Sequence, residues 1–166
     1  MEVMDNSTVL QSLQIRFSEA IRNHYEPDGI LTLEVDKDSL VPIVEFAKEH
    51  LKFNFLTDIC GVHFPDNKGA EISVVYLLNN MVQNLRLRLK VFLPIENPRV
   101  HSLVPLFLGA NWMERETYDF YGILFTGHPN LKRILNHDEM DYHPLLKQYH
   151  LEDETREDKD NTMFGR

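Results

Sequence analysis

Cysteine is almost missing from this chain of 166 residues: there is one, Cys60. A single thiol makes no internal disulfide. It also cannot supply the several ligands that an iron–sulfur cluster or a structural zinc site requires, and such usage fits a reducing compartment. Long apolar runs are missing too. None approaches the roughly 18 residues of a membrane span, and the opening "MEVMDNSTVL" is acidic and lacks the apolar core of a signal peptide. The expectation is a chain soluble by itself, able to reach a membrane only through partners. There is no P-loop, no nucleophile elbow and no dinucleotide fingerprint, and "HFPDNKG" at 63–69 has too few glycines to cradle a phosphate. Positive charge is scarce: 17 Lys and Arg stand against 26 Asp and Glu, for a net charge of −9. Non-specific nucleic-acid binding needs the opposite balance.

What is present suits one globular domain. Apolar residues make up 43% and charged residues 26% of the chain, and at this size folding buries roughly 70% of the unfolded surface. Thr8 with Gln11 three residues on fits a capping box opening a helix whose face runs through Leu10, Leu13, Phe17 and Ile21. "EPDG" is a turn and "ILTLEV" (30–35) a strand. Asp38 or Ser39 can cap a second helix with Pro42 in its first turn and Leu40, Val44, Ala47 and Leu51 on its apolar face. Strands are expected over 55–64, 71–78 and 85–93. In the last, Leu85, Leu87, Leu89, Val91 and Leu93 alternate with Arg86, Arg88 and Lys90, so one face is packed and the other wet. Short connections between these three favour antiparallel pairing. "HSLVPLF" reads as a short helix. Asn111 reads as the N-cap of a helix over 112–121, closed by Gly122. The fold class is α+β: a single domain over 1–135 with an antiparallel-rich mixed sheet and helices on one face, then an extended charged tail over 136–166.

The chemistry concentrates in "ERETYDFYG", 114–122. A catalytic reading would make Glu114, Glu116 or Asp119 a general acid or base in a cleft. A plainer reading is a capped amphipathic helix with Arg115 pairing to Asp119 four residues on, which would hold that carboxyl ionised. A third reading is a protein interface, with charges rimming Trp112, Tyr118, Phe120 and Tyr121. His137, His143 and His150 lie among Asp138, Glu139 and Asp141. Those residue types can bind a metal, but the spacing matches no ligand pattern. His128 and His143 each precede proline, which favours extended backbone. Arg86, Arg88 and Lys90 read as a solvated sheet face or, more sharply, a dock for an acidic partner or anionic lipid. No credible active-site or cofactor pattern emerges, which points to a subunit of something larger.

The stretch 110–135, "ANWMERETYDFYGILFTGHPNLKRIL", closely resembles the signature of the C subunit of respiratory NADH:quinone oxidoreductase, the thirty-kilodalton-subunit family of complex I. Glu114, Arg115, Glu116, Asp119, Phe120, Tyr121, His128, Lys132, Ile134 and Leu135 fall in register with that signature. The resemblance implies a non-catalytic structural subunit of the hydrophilic arm. Flavin and iron–sulfur clusters would sit in partner subunits and quinone would be the substrate of the whole complex. The partners implied are a separate D subunit and the iron–sulfur B and I subunits, with peripheral attachment at the cytoplasmic face of the membrane. No catalytic, cofactor or metal residue is implied in this chain. The motif and interface residues implied are Trp112, Glu114, Arg115, Glu116, Asp119, Phe120, Tyr121, Gly122, Gly127, His128, Pro129, Lys132, Arg133, His143 and Pro144. The family pattern has a glycine before its second "HP", where Tyr142 stands here, and an Arg-Lys-Asp run where Leu146, Lys147 and Gln148 stand. The alternatives are an equivalent subunit of a membrane-bound hydrogenase or of a ferredoxin- or deazaflavin-linked quinone reductase and, from a different class, a metal-dependent hydrolase using His137, Asp138 and His143.

Overall fold

The computed structural model describes residues 4–149. The first helix, α1 (Asn6–Phe17), is capped by Asp5, not Thr8: the Asp5 carboxylate accepts from the Thr8 amide at 2.8 Å and from its hydroxyl at 2.7 Å. The Thr8 hydroxyl, with the Thr8 amide and Ser7, holds that carboxyl down at about 2. The helix stops at Phe17. The expected continuation to Ile21 gives way to a strand, β1 (Ile21–Tyr25). A turn closed by Ala20 N–H on Phe17 C=O, with Asp36 N–H on Ala20 C=O, lays this segment beside β2 (Leu31–Val35). Helix α2 (Leu40–Glu49) follows with Pro42 in its first turn. It buries Leu40, Ile43, Val44 and Ala47, and the Ser39 side chain makes no capping bond.

Three strands carry the centre: β3 (Phe55–His63), β4 (Ile72–Asn80) and β5 (Leu85–Leu93). They pair antiparallel in sequence, as short connections dictate. The sheet order is β1-β2-β5-β4-β3, with β2 parallel to β5, so the sheet is mixed. The alternation in β5 sets the register: Leu87, Leu89, Val91 and Leu93 oppose Leu78, Tyr76, Val74 and Ile72, and all eight are fully buried. Each such aliphatic side chain contributes roughly 1.5–3 kcal/mol through burial.

Past β5, a two-stranded parallel pair joins β6 (Arg99–His101) to β7 (Leu124–Thr126). Between them lies α3 (Ala110–Tyr121). It begins after Gly109, earlier than an Asn111 cap would place it, and Gly122 closes it at φ +77° with its N–H on Tyr118 C=O. The stretch expected as a short helix, 101–107, makes only a turn closed by Leu106 and Phe107 N–H groups on Leu103 C=O. Its preceding amides are already engaged, Ser102 N–H by Thr126 C=O and Leu103 N–H by a carboxylate of α3. Helix α3 packs on β3. The Thr117 hydroxyl lies 3.2 Å from Ile59 C=O, and the Tyr121 ring sits where any side chain at Gly61 would be, a Cβ there falling 2.5 Å from Tyr121 Cδ2.

Candidate functional site

The signature stretch organises a strap. Residues 127–149 leave β7, turn back and run over α3 towards the end of β3. The strap is fastened at five places. At the start, His128 bridges two segments: Nε2 lies 3.0 Å from Asn111 C=O while Nδ1 accepts Asn130 N–H at 3.0 Å. One turn on, the Arg115 guanidinium donates to the carbonyls of Lys132 (3.1 Å) and Arg133 (2.9 Å). Arg115 therefore does not pair with Asp119, as helical spacing suggests. The partner of Asp119 is Arg133, at 2.7 Å, from fourteen residues away.

Asp119 is the centre of the fastening. Its side chain is fully buried, and its Oδ2 accepts three successive strap amides, Ile134, Leu135 and Asn136, at 2.9–3.1 Å. Burial alone would raise its pKa. The Asn136 and Leu135 amides, the Arg133 guanidinium and the Ile134 amide outweigh that and hold the carboxyl well below the usual carboxylate range. Arg133 in turn donates to three carbonyls: Asp119 (3.0 Å), Met140 (2.6 Å) and Tyr142 (2.8 Å).

The far end of α3 explains the rest. A helix leaves its last carbonyls without internal partners, and its C-terminus favours cations. Here Asp119 C=O takes Arg133 and His143 Nδ1 (2.9 Å), and Phe120 C=O takes Leu145 N–H (3.1 Å). The His143 ring lies over Gly122, where an added Cβ would stand 2.7 Å from its Cδ2. Gly122 thus serves twice, in the left-handed turn and in the close approach of the strap. Leu146 is buried, and Lys147 N–H donates to His63 Nδ1 at 3.0 Å. The expected domain edge at 135 and tail from 136 stand against this placement: residues 136–149 lie on α3 and β3. Residues 150–166, with His150 and the acidic run, lie outside the described residues. Tyr142, where the family pattern has glycine, does not need a positive φ.

Glu114 behaves oppositely to Asp119. It too is fully buried, on the face of α3 turned to the fold. It meets no cation, only the Ser102 hydroxyl (2.6 Å) and the Leu103 amide (2.6 Å). Burial pushes its carboxyl up to about 7, and those two donors only partly offset it. Because α3 starts at Ala110, before the expected Asn111 cap, neither Glu114 nor Glu116 falls in its first turn, which holds no acid. Neither Glu114 nor Asp119 presents a carboxyl to a cleft. Glu116, Pro129 and Lys132 are exposed, and Trp112 keeps 60% of its surface open. Leu108 (82%) and Leu135 (64%) are open as well.

Sequence reasoning missed several participants. Ser102 and His63 carry no motif, and the signature at Ile134 and Leu135 does not show that their amides take part, since each acts through one polar atom brought in by the fold. One signal was available: Ala110, Glu114, Thr117 and Tyr121 fall at i, i+4, i+7 and i+11, so an acid stands in the packed stripe. Among the described residues, no group of three or more His, Cys, Asp or Glu is placed to hold a metal. The ring of His143 is engaged on Asp119 C=O, and His137 Nδ1 accepts Glu139 N–H at 3.3 Å.

Residues 33–155 match the family described as respiratory-chain NADH dehydrogenase, 30 Kd subunit. The C subunit of an NADH-quinone oxidoreductase from a Roseiflexus species is 40% identical over 87% of this chain and 83% of its own length. Two other C subunits of NADH-quinone oxidoreductase are 42% identical in a Nocardioides species and 39% in Mycolicibacterium paratuberculosis, over 74% and 90% of this chain. The matched regions span 50% and 65% of those two relatives, so the chain accounts for only part of their length. A trypsin-resistant fragment of Nqo5 superposes with a TM-score of 0.68 at 29% identity, covering 77% of this chain and all of the fragment. A chain of an archaeal membrane-bound sulfane sulfur reductase shares the fold, with a TM-score of 0.74 at 21% identity over 87% of this chain and 85% of its own length. The extent of the family match, together with a signature in which buried Asp119 and the cations Arg115 and Arg133 fasten the strap to its helix, makes this chain a member of the respiratory-chain NADH dehydrogenase 30-kilodalton subunit family.

Proposed function

We propose that the chain is a non-catalytic structural subunit of the hydrophilic arm of a proton-translocating NADH:quinone oxidoreductase. In this reading it packs against a separate D subunit near the quinone site, close to the iron–sulfur B and I subunits, on the cytoplasmic face of the membrane. Electron transfer from NADH to quinone belongs to the whole assembly, with flavin and clusters held by other subunits. The relatives named as C subunits of NADH-quinone oxidoreductase support the complex. One observation carries the docking role. The signature's buried charges are consumed inside the fold, while Trp112, Leu108 and Leu135 remain open around the strap. Large apolar side chains beside exposed Lys132 and Glu116 are the composition of a protein interface, with an apolar anchor and a charged rim. The motif residues divide accordingly. Glu114, Asp119, Arg133, Gly122 and His143 shape the surface. Trp112, Glu116, Pro129 and Lys132 meet the partner, with Arg115, Phe120, Tyr121, Gly127, His128 and Pro144 at its base. No helix among the described residues is long and apolar enough to cross a membrane, which fits attachment through partners.

Affinity purification from gently solubilised membranes tests this reading. Recovery of the B, D and I subunits with membrane subunits supports it, and an NADH-oxidising module among them names the donor. Recovery of the chain alone, away from membranes, contradicts it. The fold shared with a sulfane sulfur reductase chain favours a second reading, an equivalent subunit of a related membrane-bound complex. Nickel-hydrogenase, ferredoxin-linked or deazaflavin-linked subunits in the same purification would select it.

A further inference from the structure

The strap is fastened by two kinds of chemistry. Along α3 the acceptor is a carboxylate backed by a guanidinium, neither of which changes charge near neutral pH. At its far end the acceptor is an imidazole nitrogen: Lys147 N–H donates to His63 Nδ1 at 3.0 Å. A backbone N–H can only donate, so this bond exists only while Nδ1 carries no proton and the ring is the neutral Nε2–H tautomer. His143 differs. Its Nδ1 faces Asp119 C=O and must donate, which both the neutral and the charged ring can do. Of the two rings at this end of the strap, protonation therefore breaks the His63 bond and leaves the His143 bond in place.

We propose that residues 147–149 form a pH-released latch, in which unprotonated His63 holds the Lys147 amide and protonation of the ring lets the end of the strap go. His63 is the last residue of β3 and only 5% exposed, set in a cleft of about 610 Å³ that Lys147 and Gln148 help to line. The charged groups around it come from every neighbouring element. Lys147 is on the strap, Lys68 on the turn after β3, Glu71 just before β4, and Glu96 after β5. Glu71 holds its own charge through the Gly69 and Ile95 amides. Burial lowers the ring's pKa first and Lys147 adds to it, while Glu71 opposes them. The sign follows: a ring harder to protonate when latched holds fully above the ordinary histidine value of 6.5 and loosens as pH falls below it through the latched value. Among the described residues the latch takes in Lys147, Gln148 and Tyr149, whose ring packs on Tyr142 at 4.8 Å between centroids. The latch stands on hydrogen-bond geometry whether or not the docking reading holds.

The test is amide hydrogen exchange of the full chain, read at Lys147 and corrected for intrinsic rate. Expected is a loss of Lys147 protection below about pH 6.5 that approaches tenfold per pH unit, while the Ile134–Asn136 amides keep theirs. His63→Gln supplies a carbonyl acceptor that does not titrate, so its Lys147 protection stays flat with pH. His63→Leu shows the unlatched rate throughout. A flat wild-type profile, or a Gln variant that loosens as the wild type does, overturns the proposal. Should either variant misfold, the wild-type ring alone decides by nitrogen chemical shifts at pH 7.5: the Nε2–H tautomer is expected, and an Nδ1–H tautomer overturns the latch.

Discussion

The two buried carboxylates of α3, five residues apart, are opposites. Asp119 has a guanidinium and three amides, and its charge is the reason the strap lies where it does. Glu114 has a hydroxyl and one amide, no cation, and a carboxyl raised to about 7. Burial is equal; the donor set differs. A fully buried acid is thus stabilising or costly according to what faces it, and only the fold decides that. The same helix uses one buried carboxylate to fasten a loop and the other to hold the turn before the helix.

Removing the cation should give the largest effect. Arg133→Ala leaves Asp119 buried and unpaired, and is expected to cost about 3–5 kcal/mol by chemical denaturation. A loss under about 1 kcal/mol would mean water replaces the guanidinium and the contrast is weaker than drawn. Second comes pH. For Glu114 the folded value lies above the ordinary 4.5, so the folded state binds more protons and its contribution falls as pH rises from 4.5 through about 7, by on the order of 3 kcal/mol. Asp119 has the opposite sign: its contribution is full above 3.8 and is lost as pH falls through the depressed folded value. Denaturation of Glu114→Gln across pH 5–8 should show the first slope removed and stability at pH 8 unchanged or higher. An unchanged slope would assign it elsewhere.

A steric prediction follows. Gly61→Ala places a methyl group 2.5 Å from Tyr121 Cδ2, and displacing that ring should cost roughly 1–3 kcal/mol. Thermal melting reads it. A neutral outcome would show that α3 rides loosely on β3. The smallest effect belongs to a control. The Arg22–Asp36 pair joins an exposed side chain to a half-buried one, so Arg22→Ala should change stability by about 0–1 kcal/mol. A larger loss there would remove the distinction between buried and exposed pairs.

These contrasts also mark what was legible in the sequence. Period-two alternation in β5 reports a face directly, and Pro42 and Gly122 report conformations that few other residues replace, so the core, the start of α2 and the C-terminal end of α3 were readable. β1 was not: "IRNHY" is a half-exposed edge strand with no alternation to show, and its assignment depends on β2 beside it. The Arg115–Asp119 pairing expected from spacing failed because spacing sees one helix, whereas Arg133 arrives after a loop and a strand. The interface reading of the signature was visible as residue types. That Asp119 and Glu114 face inward became visible only once the strap and β6 were in place.

The central claim is that Asp119 ties the strap to α3. The direct measurement is native-state hydrogen exchange of the Ile134, Leu135 and Asn136 amides in the full chain. They lie in no helix or strand, yet the account predicts exchange as slow as the amides of β5, and fast exchange in Asp119→Ala. Exchange at the rate of a free loop in the unmodified chain would contradict it.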